Sequence, residues 1–220
     1  MMNDMKRAMQ LLRYGDQFKT YMVMGIIWFA MGVGFVAVCV GEEMAYLAHY
    51  QVILPMFMPM FMIQSLASLE AGGMVASSGK RRFLFITAPD LLGLAGMVVM
   101  FLVVLVVITI KCILVPDIKE LAGGMILCVG LSAAVLQVYM SLVCKYFLGG
   151  LAGFLILFNF FYVEAGNMIL TSWKPSYGVG LFFGIAVCIL GCVAGHFIRV
   201  CLYKKPISKF SLGAEMRKYM

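Results

Sequence analysis

Three groups of residues in this 220-residue chain combine types and spacing that could do chemistry. Cys188, Cys192 and His196 recur at every fourth position, one face of a helix, and thiolate and imidazole are ligands for zinc or copper. On one straight helix, however, such side chains point outward in a row and do not converge on one ion. A face packed through Gly180, Gly184, Gly191 and Gly195 is the stronger expectation, and no metal site is predicted. Met56, Met58, Met60 and Met62 alternate with Phe57, Pro59 and Phe61, a thioether-rich run suited to copper(I). Residues two apart on a helix differ by about 200°, which separates Met56 and Met60 from Met58 and Met62. The Met56 and Met60 side then either lines a path that repacks around apolar cargo or serves as lipid-facing filler. Asn159, Glu164 and Asn167 form the third group: polar residues inside a long apolar stretch. They act either in a pathway or gate, or in a structural hydrogen bond that closes a bend.

Signatures of catalysis are missing. The chain has no phosphate-binding loop with Gly-Lys-Ser or Gly-Lys-Thr, no His-Glu-x-x-His and no Gly-x-Ser-x-Gly. Its two histidines, His49 and His196, fall near opposite membrane faces. No catalytic residue is assigned, and the chain is not expected to be an enzyme.

The elements that must position these residues follow from composition. With 64% hydrophobic and 12% charged residues and a mean hydropathy of +1.01, the chain has too few charges to cover a water-facing surface. It reads as an all-α integral membrane protein, one transmembrane domain over 1–220. A span takes about 20 apolar residues, so six spans leave room only for short connections. The net charge of +7 sits at span edges, where orientation and anionic lipid account for it, so no nucleic-acid partner is expected. The seven cysteines lie in or beside apolar runs and imply no disulfide framework, although Cys39 and Cys112 fall near the same outer face.

In chain order, residues 1–18 form an amphipathic segment expected to lie in the membrane plane, retained and not cleaved as a signal. The six-span bundle covers 19–201. Span 2, from about 44 to 69, contains Pro55 and Pro59, which should kink it. A basic segment over 70–90 follows, with Lys80, Arg81 and Arg82 adjacent. Thr87, Pro89 and Asp90 read as a helix start: a capping hydroxyl, a first-turn proline and an acid at the positive end of the dipole. Residues 146–173 would make a helix roughly 42 Å long, more than a bilayer needs. Span 5 is therefore expected to end near Tyr162 or Val163, with 164–177 re-entering or lying along the outer leaflet. A basic tail covers 202–220. Of the 17 basic residues, only Lys111, Lys119 and Lys174 fall on the outer side, which predicts cytoplasmic termini.

Met74 to Arg82, Met-Val-Ala-Ser-Ser-Gly-Lys-Arg-Arg, followed by Thr87-Ala-Pro-Asp, is similar to the Ser-Ser, basic-cluster and proline pattern of type-two ABC exporter membrane subunits. The order of features resembles the short bacterial permeases of peptide export or antimicrobial-peptide immunity over nearly the whole chain, and the motif over about twenty residues. The resemblance implies a coupling loop containing Glu70, Ser77, Ser78, Lys80, Arg81 and Arg82 that docks on a separate ABC ATPase. It also implies a second permease subunit, identical or a sister, in the bacterial cytoplasmic membrane. ATP and magnesium would be bound by the partner, and this chain would hold no cofactor. For Lys80 to Arg82, orientation and lipid anchoring alone is the other reading. Two other functions fit the same composition: the substrate-binding membrane component of an energy-coupling-factor importer, and a non-transport membrane assembly or immunity protein.

Overall fold

The computed structural model describes residues 2–14, 18–38, 52–71, 81–115, 118–143 and 145–206. Among them every regular element is helical: α1 (Met2–Tyr14), α2 (Phe18–Val38), α3 (Phe57–Ala71), α4 (Ala88–Leu114), α5 (Lys119–Val143), α6 (Phe147–Ile156), α7 (Glu164–Met168) and α8 (Tyr177–Leu202). Helical runs over Phe18–Val38, Phe83–Leu114, Lys119–Val143, Leu148–Trp173 and Tyr177–Leu202 are each long and apolar enough to cross a membrane, and Leu54–Leu66 is a shorter apolar helix. This is the architecture of an all-α membrane protein, the only kind besides a closed barrel that satisfies its backbone within lipid.

The centre of the bundle is α5. Its apolar window is 67% buried, against 12% for the Leu148–Trp173 run, so the other helices pack around it and present their outer faces to lipid. The closest partner is α8, whose buried positions are Gly180, Gly184, Cys188, Gly191, Gly195 and Arg199. A β-carbon at Gly130 of α5 would overlap the Gly184 carbonyl, and one at Gly191 would overlap the Ala134 backbone. Without water to squeeze out between helices in lipid, such backbone proximity is what dispersion forces need.

Prolines reshape the helices in two ways. A proline leaves the carbonyl four residues earlier without its donor and collides with it. Before Pro59 the chain tightens into a 3-10 turn at Leu54–Met56. Before Pro89 it loosens into a π turn at Phe83–Thr87, with the Ala88 N–H reaching back to the Phe83 carbonyl. Glycines accept the rings: Pro55 packs against Gly32 of α2 and Pro59 against Gly96 of α4.

Several expectations need correction here. The helix containing α4 does not start at Thr87: it is already formed at Arg81, and Thr87 is itself helical with no side-chain capping bond. The expected end at Tyr162 or Val163 is also absent. From Phe147 the chain stays helical to Trp173, through a π stretch at Leu157–Val163, α7 and a second π turn at Ile169–Trp173. The turn comes at Lys174, in the left-handed region with φ 42°, followed by Pro175. Cys39 lies outside the described residues, while Cys112 is a buried free thiol.

The N-terminal segment is helical and docked. In α1, Ala8 and Leu12 are buried against Leu66, Ala88 and Leu92, while Lys6, Arg7 and Arg13 are exposed on the other side. The Ser65 hydroxyl donates to the Leu12 carbonyl at 3.3 Å.

Two buried lysines sit at helix ends, where unpaired carbonyls and the negative end of the dipole favour a cation. Lys111 Nζ donates to the Val36 carbonyl at 2.7 Å, close to the end of α2. Lys145 Nζ donates to the Lys205 carbonyl at 2.7 Å just past α8, and lies 4.4 Å from the centre of the Phe85 ring.

Gly130→Leu should unfold or separate the α5–α8 seam, costing upwards of about 2 kcal/mol, because the atoms in its way are backbone. Gly34→Ala, which meets nothing within 4 Å, should change stability by less than about 1 kcal/mol. Unfolding in mixed micelles, followed by circular dichroism, measures both.

Candidate functional site

The chemistry-bearing cluster of this fold lies between α4 and α8. Asp90, in the first turn of α4, holds two side chains from α8. Arg199 Nε donates to Oδ1 at 2.8 Å, with Nη2 standing 2.5 Å from the same oxygen. His196 Nδ1 stands 2.6 Å from Oδ2, where it donates to the other half of the carboxylate. The helices supply this geometry directly: residues three apart in α8 share a face, and both reach one acid across the contact.

Burial divides the cluster. The Arg199 side chain is 1% exposed, that of Asp90 24% and that of His196 51%. Arg199 is therefore the internal member, paired because an isolated guanidinium could not remain there. Its Nη1 has no hydrogen-bond partner among the described residues. The same holds for Oε1 of the buried Gln137, on α5. That carboxamide is wedged between two glycines, since a β-carbon at Gly93 would lie 2.7 Å from its Nε2 and one at Gly195 would lie 3.0 Å from its Cγ. Gly93 and Gly195 are one turn along their helices from Asp90 and Arg199, so the three helices carry polar groups at one level.

Depth follows from the other end of the same helix pair. Thr109 Oγ1 and Tyr177 OH are 2.9 Å apart and join α4 to the start of α8. Asp90 and Thr109 are separated by about 29 Å of helix, close to the hydrocarbon thickness of roughly 30 Å. The ion cluster and the hydroxyl pair thus join the same two helices at points about one apolar-layer thickness apart. Beyond the ion cluster, Phe85 and Tyr203 pack with ring centres 6.1 Å apart, and the Arg81 guanidinium lies 5.7 Å from the Tyr203 ring centre.

The residues singled out from sequence distribute as follows. Ser77, Ser78 and Lys80 lie outside the described residues, and Glu70 is in the last turn of α3. Arg81 packs on Tyr203 as above, whereas Arg82 is exposed. Met56 and Met60 are buried in the main core, with Met58 and Met62 half-buried. Asn159 and Glu164 are exposed and Asn167 is half-buried, and no hydrogen bond joins the three among the described residues. Asn159 instead donates to the Leu155 carbonyl of its own helix, and the Asn167 carbonyl accepts from Thr171.

Sequence reasoning missed the cluster itself. It assigned Asp90 to a helix dipole, counted Arg199 only among the inner-side basic residues, and placed His196 on a packed glycine face. The signal was present: Arg199 continues the stripe of Gly180, Gly184, Cys188, Gly191 and Gly195 by one more turn, and a charge on a small-residue stripe needs a partner on the facing helix. Among the described residues no group of three or more His, Cys, Asp or Glu side chains is arranged to hold a metal ion.

No protein-family model matches the chain, and neither a curated protein nor a solved structure matches it.

Chemically, the cluster is a charge-neutralised joint between two long helices. Arg199→Met, which leaves a partly buried carboxylate without its main partner, should cost about 3 kcal/mol, and His196→Phe less than about 1 kcal/mol because that ring is half-exposed. Equilibrium unfolding of the two variants in detergent measures the difference.

Proposed function

We propose that this chain is the permease subunit of a type-two ABC exporter in a bacterial cytoplasmic membrane. It forms half of a translocation path for peptide-like or amphipathic cargo, and a separate subunit binds ATP and magnesium and hydrolyses the nucleotide. In this reading α3, with the apolar residues before it, completes six spans, α1 lies in the membrane plane, and both termini face the cytoplasm.

The observation that carries the reading is the convergence of elements at one end of the bundle. Arg81 and Arg82 of the basic cluster are already helical and lead without a break into α4. That helix is joined to α8 by the Asp90 cluster and by the Phe85 and Tyr203 rings, and to α1 by Ala88 and Leu92. A partner pushing on the basic segment would move α1, α4 and α8 together. A coupling loop needs such a rigid attachment, because a partner's nucleotide state shifts the membrane helices only if it binds their two arrangements unequally. Lys80 and Arg82 are the contact charges in this scheme, and Arg81 anchors the loop through Tyr203.

The test is co-expression with each ABC ATPase subunit of the source genome that lacks membrane spans of its own, comparing the wild type with a Lys80→Glu, Arg82→Glu double variant that leaves the Arg81 contact in place. Co-purification and ATP turnover should both fall at least about tenfold in the variant, since reversing interface charges weakens docking by a few kcal/mol. Failure of every such ATPase to associate with the wild type, or one that associates and turns over equally with the variant, would contradict the assignment.

A further inference from the structure

Asn159 occupies an unusual place. It is the thirteenth residue of the helical run that starts at Phe147 and ends at Trp173, about 18 Å from one end and 21 Å from the other. Its neighbour Tyr162 is buried and bonded through its hydroxyl to Ser132 at 2.9 Å, and Ser132 lies near the midpoint of α5. Asn159 therefore sits near the middle of the apolar layer, yet its side chain is exposed on the outside of the bundle. Its Nδ2 donates to the Leu155 carbonyl at 2.8 Å, which uses one of two N–H groups and leaves Oδ1 with no partner among the described residues. A carboxamide facing hydrocarbon in that state is costly, and polar side chains in spans normally meet a partner.

Glu164 adds a second polar group to the same side. On a regular α-helix, residues five apart are displaced by about 140° around the axis. The Leu157–Val163 segment is π-helical, with bonds reaching five residues back, and this wider turn brings Glu164 closer to the Asn159 side. Both are exposed, while Tyr162 between them faces inward. Around them the surface is apolar, with Leu155, Ile156 and Met168 each more than half exposed.

We propose that this exposed face of the 147–173 helix is a self-association surface on which a second copy of the chain docks, Asn159 facing Asn159. A carboxamide carries a donor and an acceptor and is complementary to itself. Two copies inserted in the same sense about an axis normal to the membrane bring identical residues together at identical depth. The proposal deepens the permease reading by locating the pairing of its two subunits, and its test uses no ATPase, so the two can fail separately.

The experiment uses the full chain, labelled in separate batches with donor and acceptor fluorophores and reconstituted in phosphatidylcholine vesicles over a range of protein-to-lipid ratios. Energy transfer should report association of the wild type. Asn159→Leu should require about tenfold higher protein density for the same transfer, whereas Asn159→Gln, which retains the carboxamide, should stay within about threefold of wild type. Asn159→Ala, which adds no bulk, should match the leucine variant. A wild type without transfer across the range, as expected if a different membrane protein covers this face, would overturn the proposal. So would leucine and alanine variants that associate like the wild type.

Discussion

A polar group in an apolar layer must find its partner inside the protein, and the contact between Asp90 and Arg199 is where this constraint acts most strongly here. Arg199 is essentially inaccessible, so its permanent charge must be compensated within the protein, and the acid that does so belongs to another helix. That requirement fixes the relative height of α4 and α8. The 29 Å or so of helix between Asp90 and Thr109 then carries the pairing to the opposite end, where Thr109 meets Tyr177. Two helices pinned at both ends of their contact define a frame, and α5 fills it through contacts close enough to need glycine.

The same constraint explains the buried lysines and the distorted helices. Lys111 and Lys145 supply donors to carbonyls at or just beyond the ends of α2 and α8, groups that no helix can satisfy by itself. Pro59 and Pro89 each remove a donor from within an apolar helix, and the backbone re-forms its bonding with a 3-10 turn in one case and a π turn in the other. The π turn before Pro89 also lets the helix extend back through Arg82 and Arg81. Its early turns are held on the bundle by Phe85 and Arg81 on Tyr203.

Much of the architecture was legible in the sequence, because hydropathy over some 20 residues is a strong local signal. The all-helical class, the amphipathic first helix and the packing role of Gly180, Gly184, Gly191 and Gly195 all follow from patterns within one segment. What was not legible involved two segments at once. Asp90 has the form of a helix-start acid, and nothing local says that it faces Arg199 more than a hundred positions later. Thr87 and Pro89 likewise imitate a capped terminus, but packing of Leu84, Phe85 and Ile86 extends the helix past them. The run from 147 to 173 was judged too long for one span, yet it remains helical and absorbs two π segments.

The central claim is that Asp90 and Arg199 act as a unit joining α4 to α8, and a double-mutant cycle with Asp90→Asn, Arg199→Gln and the combined variant tests it most directly. Unfolding free energies of the four proteins in one detergent give the coupling. The account predicts that the combined variant is less destabilised than the sum of the singles by at least about 1.5 kcal/mol, because each single change leaves the other group uncompensated. Additivity within about 0.5 kcal/mol would mean that the two residues are energetically independent, and the joint between the helices would have to lie elsewhere.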